Sequence, residues 1–256
     1  MIDSVVLCGG HGTRLYPETR SVPKALVHVG GRPILDWVLG HLVRHGSPRI
    51  LLCTGFRAHD IGEHVRRLSV TAPVEVDGDL ACYVEGPEGT VELIVCDTGV
   101  GTPTGARLHR VEKHLRGEAL VTYSDVLADV AISDLVRFHR AAGVAATVTT
   151  TAVQSPFGHV AVSEDGRVTG FHEKPLLTQP VNIGFLVLSP QARRLVSSTS
   201  GQLEVDLLPE LVASRSLAAF VHTGQFHAMD TVADQRRLDT LWRDGDLDWL
   251  PRPVTG

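Results

Sequence analysis

Val5-Val6-Leu7-Cys8-Gly9-Gly10-His11-Gly12-Thr13-Arg14-Leu15, followed nine residues on by Lys24, is the stretch on which the reading turns. A short apolar strand runs into a loop with three glycines and then a cation. A chain builds a nest of backbone N–H groups around phosphate oxygens in this way. Two better-known phosphate loops do not fit: the Walker pattern needs Gly-Lys-Ser/Thr, and the dinucleotide fingerprint needs a third glycine where Leu15 stands. The loop points to a nucleotide held by a different device.

The remaining composition narrows the class. At 256 residues with 43% hydrophobic content, the chain is long enough to bury a full core as a single domain. A net charge of −5 and a pI near 6.2, with no long basic run, argue against nucleic acid and for a small substrate. Asp3 sits where a leader would carry basic residues, and no apolar run reaches the roughly 18 residues of a membrane span. Cys8, Cys53, Cys82 and Cys96 lie in apolar settings without a C-x-x-C pair, so reduced core thiols in a cytoplasmic protein are expected. Of 24 basic residues only Lys24, Lys113 and Lys174 are lysine. An ammonium is a compact point charge that fits between phosphate oxygens where a planar guanidinium does not. Motif context surrounds Lys24 and Lys174, but not Lys113.

Apolar runs of strand length alternate with helical patterns at 4–7, 33–45, 49–53, 59–68, 119–123, 133–141 and 145–150, the signal for βαβ units. The expected fold is α/β: a Rossmann-like mixed, mostly parallel sheet flanked by helices, formed by residues 1–256 as one domain. Short strands at 73–76, 80–85 and 91–95 break the alternation and predict an inserted β-ribbon over about 73–98. Glu164-Asp165-Gly166 marks a hairpin between 159–163 and 167–172, 183–188 reads as a strand and 232–243 as a C-terminal helix. Ser197–Gly201 reads as a polar loop and Asp244–Gly256 as a tail.

Asp125 follows the apolar strand Ala119–Tyr123, where open α/β sheets gather their ligands, and suits a metal. Asp230 stands just ahead of the C-terminal helix and reads equally as a metal ligand or as that helix's N-cap, a role Thr231 could take instead. Glu173-Lys174-Pro175 fixes a lysine at a strand exit, because the proline holds it extended.

Taken in order, Gly10-x-Gly12-Thr13-Arg14-Leu15, Pro23-Lys24, the strand-end Asp125, Glu173-Lys174-Pro175, Asn182-x-Gly184 and Met229-Asp230-Thr231 resemble the motif series of the sugar-phosphate nucleotidylyltransferases. Asp97-Thr98-Gly99, Thr104-Gly105-x-Arg107-Leu108 and Ala128-Asp129-Val130 look most like the glucose-1-phosphate cytidylyltransferase branch. The resemblance covers nearly the entire chain. It implies Mg²⁺, CTP and a hexose 1-phosphate such as glucose 1-phosphate, joined with release of pyrophosphate, and a homo-oligomer. It also implies roles: Leu7, Gly9, Gly10, Gly12, Thr13, Thr104 and Gly105 around the nucleotide; Arg14 and Lys24 on the triphosphate; Asp125 and Asp230 on the metal; Lys174, Glu173, Asn182 and Gly184 on the sugar phosphate, with Arg14, Lys24 and Lys174 catalytic.

Departures from the branch flank the metal and sugar positions: Ser124-Asp125-Val126 in place of Gly-Asp-Gly, Pro23-Lys24-Ala25, Gln179-Pro180-Val181, and Phe226-His227-Ala228 without a tryptophan. Val126 is expected to add a branched side chain where the sugar approaches. GTP or dTTP with an unusual sugar, and a noncatalytic nucleotide-sugar-binding protein on the same fold, therefore remain alternatives. His41 and His45, one helical turn apart with no third ligand nearby, are expected on a solvated helix face rather than on a metal.

Overall fold

Alternating apolar strands and amphipathic helices can hide both faces of a sheet only by winding helices over each, and the computed structural model does this. It describes residues 2–196 and 201–250; positions 197–200 of the expected loop and 251–256 of the expected tail lie outside the described residues. The first half runs β1 (Asp3–Leu7), the short pair β2 (His28–Val29) and β3 (Arg32–Pro33), α1 (Ile34–Arg44), β4 (Arg49–Thr54), α2 (Ala58–Leu68), β5 (Val74–Val76), β6 (Asp79–Gly86), β7 (Gly89–Asp97) and α3 (Thr104–Val111). The second runs β8 (Ala119–Tyr123), β9 (Val126–Ala128), α4 (Ile132–Ala142), β10 (Ala146–Thr151), β11 (His159–Val162), β12 (Val168–His172), β13 (Val181–Leu188), α5 (Pro190–Arg194), α6 (Leu208–Ala213), β14 (Leu217–Val221), β15 (Phe226–Ala228) and α7 (Val232–Asp244).

Nine strands form one sheet in the order β14-β10-β13-β8-β1-β4-β7-β6-β5. β1 is parallel to both neighbours, with Val5 beside Leu51 and Val121, and β4 is parallel to β7. β13 runs antiparallel between β8 and β10. The ribbon expected at 73–98 is present, and it grows out of the sheet: its third strand, β7, is a parallel member, while β6 and β5 extend the edge.

Period-2 alternation sorts side chains between two apolar layers. Val6, Ile50 and Leu52 face α1, α2 and the C-terminal segment, whereas Val5, Leu7, Leu51 and Cys53 face α3, α5 and α6. All four cysteines are free and buried, and burial pushes the Cys8 thiol up to about 12 despite the Arg107 guanidinium nearby. Such thiols are inert.

Two expectations fail here. His41 is not solvated: it is buried on the inner face of α1, its ring packs at a 58° tilt against His45 with centroids 4.5 Å apart, and its Nε2–H donates to the Val130 carbonyl at 3.1 Å. The segment after α7 is not a free tail over its described part either. Gly245, at φ 83°, ends the helix, and the chain turns back to bury Leu247 and Leu250 in the core.

Candidate active site

The parallel strands β8, β1, β4 and β7 release their loops along one edge of the sheet, where α/β folds place ligands. A cleft of about 680 Å³ lies there, walled by residues 7–14, Lys24, the Gly101–Thr104 stretch, Arg107 and Tyr123–Asp125.

The glycine loop has its shape for local reasons. Gly12 adopts φ 62°, and a side chain there would stand 3.0 Å from the Lys24 Cβ, so the loop and the lysine stem need a glycine between them. Thr19 Oγ1 donates to the Gly12 carbonyl at 2.8 Å and holds the turn closed. Gly9 answers to a different constraint, because a Cβ on it would overlap the Arg107 guanidinium. That group is buried. Its Nη1 donates to the Thr54 carbonyl and to Thr98 Oγ1, each at 2.6 Å, and its Nη2 to the Gly9 carbonyl at 3.1 Å. Arg107 thus ties the ends of β1, β4 and β7 together beneath the cleft.

The charged centre is built from three distant parts of the chain. Lys24 Nζ donates to Asp125 Oδ2 at 2.6 Å and to Asp230 Oδ1 at 2.8 Å, and Arg14 Nη2 lies 3.1 Å from the same Asp230 oxygen. The two aspartates meet because β9 pairs antiparallel with β15, Val126 opposite Ala228, and the Met229 N–H donates to the Asp125 carbonyl at 2.9 Å. Thr231, not Asp230, caps α7: its side chain accepts from the Asp234 N–H while the Asp234 carboxylate receives the Thr231 N–H. Asp230 is thereby left to face the cations.

Leu7, Gly9, Gly10, Gly12, Thr13, Arg14, Lys24, Thr104 and Asp125 all line the cleft. Gly105 lies behind the wall, its N–H donating to the Gly201 carbonyl, and Thr104 Oγ1 accepts from the Leu203 N–H. The sugar-side residues are at the same edge but outside the cleft. β13 runs against β8, so Asn182 starts beside the end of β8, and its Oδ1 accepts the Gly184 N–H at 3.0 Å. Gly184, at φ 80°, is the residue that lets the Tyr123 ring pack on β13, since a Cβ would come within 2.8 Å of it. Glu173 and Lys174 are exposed at the end of the β11–β12 hairpin and do not touch the cleft. Pro175 does not hold Lys174 extended as expected: the lysine takes φ 44°, in the left-handed region.

Val126 corrects an expectation: its side chain is buried with Trp37, Val38 and Phe185 in the core and does not line the cleft. Sequence reasoning also missed groups of the wall. It gave Arg107 no role, and Tyr123, whose hydroxyl bonds to Glu204, was read only as part of a strand. Burial and the Glu204 carboxylate both drive that hydroxyl's pKa upward. Lys113 finds its explanation on the ribbon, where Nζ donates to the Asp77 carbonyl at 2.6 Å and pairs with Asp79 at 2.9 Å. Beside it, Asp79, Cys96 and His114 place donor atoms within 4.8 Å of one another. Thiol and imidazole are poor donors for a hard cation such as Mg²⁺, whereas Asp125 and Asp230 are suitable ones. Among the described residues no helix is long and apolar enough to cross a membrane.

The chain belongs to the nucleotidyl transferase family, whose profile matches residues 3–246, and is an enzyme of that class. It is 33% identical over 254 residues to a glucose-1-phosphate cytidylyltransferase of Salmonella typhi, covering 96% of this chain and 98% of the relative. A mannose-1-phosphate guanylyltransferase catalytic subunit beta of Drosophila pseudoobscura pseudoobscura is 29% identical over 228 residues, 86% of this chain and 57% of that one. The fold matches the crystal structure of HddC from Yersinia pseudotuberculosis with a TM-score of 0.68 at 20% identity, over 94% of this chain and all of the other.

Proposed function

We propose that this enzyme catalyses Mg²⁺-dependent transfer of the cytidylyl group of CTP to glucose 1-phosphate or a modified hexose 1-phosphate. A phosphate oxygen of the sugar bonds to the α-phosphorus, the α–β bridge bond breaks, and pyrophosphate leaves with its electron pair. The observation that carries the reading is the meeting of Lys24 with both Asp125 and Asp230 beside the glycine loop. Two carboxylates converging on one ammonium make a donor set of hard oxygens, which fits a divalent cation. Bound there, Mg²⁺ would neutralise phosphate oxygens and help hold the attacking and leaving groups in line.

Everything else falls to the chain's own residues. The loop from Gly9 to Thr13 cradles the phosphates, Arg14 and Lys24 draw charge off the departing pyrophosphate, and Lys174 orients the sugar phosphate. The attacking oxygen is already ionised near neutral pH, so positioning and charge neutralisation suffice without a general base. For Lys174, the support is topological: the hairpin leaves from the end of β10 and returns as β13, both at the edge that carries Asp125. Buried reduced thiols favour a cytoplasmic location. Phe157, Val160, Val162, Val168, Phe171 and Leu176 leave an apolar hairpin exposed, which supports a homo-oligomer.

A grid of CTP, GTP, dTTP, UTP and ATP against several sugar 1-phosphates, read by pyrophosphate release, tests the proposal. CTP with a glucose-type sugar is expected to turn over fastest. A preference for GTP would transfer the base assignment to the guanylyl side of the family, and no release from any pair would overturn the reaction.

A further inference from the structure

We propose that Lys24 is the counter-ion of Asp125 and Asp230 in the substrate-free enzyme, and that it exchanges them for the triphosphate, so that the divalent cation loads together with the nucleotide. This rests on the reaction proposed above. The Lys24 side chain is only 14% exposed, and a partly desolvated ammonium needs opposite charge close by. It has two carboxylates, at 2.6 and 2.8 Å, and Arg14 adds a second cation at Asp230. Two cations thus balance two carboxylates, and a metal ion approaching this arrangement meets no net negative charge to hold it.

The same lysine is placed to leave. Its stem runs against Gly12, 3.0 Å from where a Cβ would sit, so the chain that reaches the aspartates also borders the phosphate loop. A four-carbon stem with three rotatable N–H donors can swing from carboxylate to phosphate oxygens. A triphosphate that draws Lys24 and Arg14 away bares both carboxylates, and the coupling is reciprocal: nucleotide tightens metal and metal tightens nucleotide by one factor.

The test is a Mn²⁺ titration of the full chain without nucleotide, with free Mn²⁺ read by electron paramagnetic resonance. Lys24→Gln should bind Mn²⁺ at least about tenfold more tightly than the wild type, a floor set by the partial exposure of both carboxylates. Adding Asp125→Asn to it should cancel the gain, and Lys24→Arg, which keeps the charge, should stay weak. Arg14→Gln alters an exposed side chain, so its fold is not at risk, and it should give a smaller gain of about threefold. Unchanged Mn²⁺ affinity in both Lys24→Gln and Arg14→Gln, or equal gains in Lys24→Gln and Lys24→Arg, would overturn the proposal. Because no nucleotide is present, this result is independent of the pyrophosphate grid: a failed grid with the predicted Mn²⁺ order removes the reaction and leaves the counter-ion role, and a successful grid with the Mn²⁺ order absent leaves the reaction and removes the counter-ion role together with the exchange.

Discussion

Gly9 and Gly10 stand side by side in the loop and answer to different physics. A methyl group on Gly9 would overlap the Arg107 guanidinium, whereas Gly10 faces open space within 4 Å. Gly9→Ala must push that guanidinium off the Gly9 and Thr54 carbonyls and Thr98 Oγ1. Leaving buried groups unpaired costs about 1–3 kcal/mol each, so a loss of about 2 kcal/mol or more in urea unfolding is expected, with a raised KM for nucleotide. Gly10→Ala, the control, should stay within about 0.5 kcal/mol of the wild type. At the charged centre, Asp125→Asn should lower pyrophosphate release by about 10²-fold or more, the scale for losing one preorganised charge; ordinary turnover of that variant in Mg²⁺ would defeat the metal assignment. The loop, Lys24 and the strand-end Asp125 were legible because each is a local pattern of strand, glycine and charge. Arg107 was not, since its acceptors sit at the ends of three strands that are far apart in the chain, and no spacing registers them.

The pairing of β9 with β15 is the element that turns two separate aspartates into one site, and α7 fixes its far end. The Asp230 N–H donates to Asp234 Oδ2 at 3.2 Å, inside the same capping box that starts the helix. Thr231→Ala should therefore cost about 1 kcal/mol of stability and also loosen Asp230. A thermal melt should show a drop of roughly 2–4 °C, and turnover should fall by more than that stability loss explains, since at assay temperature the protein remains folded. The helices and longer strands were legible from their periods, and α7 from its apolar spacing and Thr231. β9 and β15 were not: three-residue strands have no period to read, and their partnership spans about a hundred positions. Lys174 is the reverse case. Its motif is plain in the sequence, but the hairpin that carries it stands clear of the cleft, because nothing in a triplet specifies where a hairpin leans.

Across the whole molecule, exposed apolar surface and buried imidazole set the conditions under which the fold persists. If the β11–β12 hairpin docks between copies, Val160→Asp with Phe171→Asp should lower the sedimentation coefficient toward that of a monomer; an unchanged value would remove the hairpin as a docking surface between copies. Acid stability follows from the interior. Burial, with the neighbouring His45 charge adding to it, holds His41 down to about 3 in the folded protein, and burial lowers His45, His139 and His227 in the same direction. An unfolded histidine titrates near 6.5, so below that pH the unfolded chain binds a proton that folded His41 refuses. More protons on the unfolded state means stability that is fully present above about pH 6.5 and declines as pH falls toward the folded value. From pH 7.5 to 5.5 the His41 contribution should drop by about 1.4 kcal/mol, a figure insensitive to the folded value once that lies well below 5. Urea unfolding of wild type and His41→Gln at both pH values checks this. The variant starts less stable, having lost the Val130 hydrogen bond and the packing on His45, and should lose less on acidification by that amount. Equal losses in the two proteins would mean that His41 takes up its proton without unfolding, and the buried neutral ring on α1 would not be what limits the fold in acid.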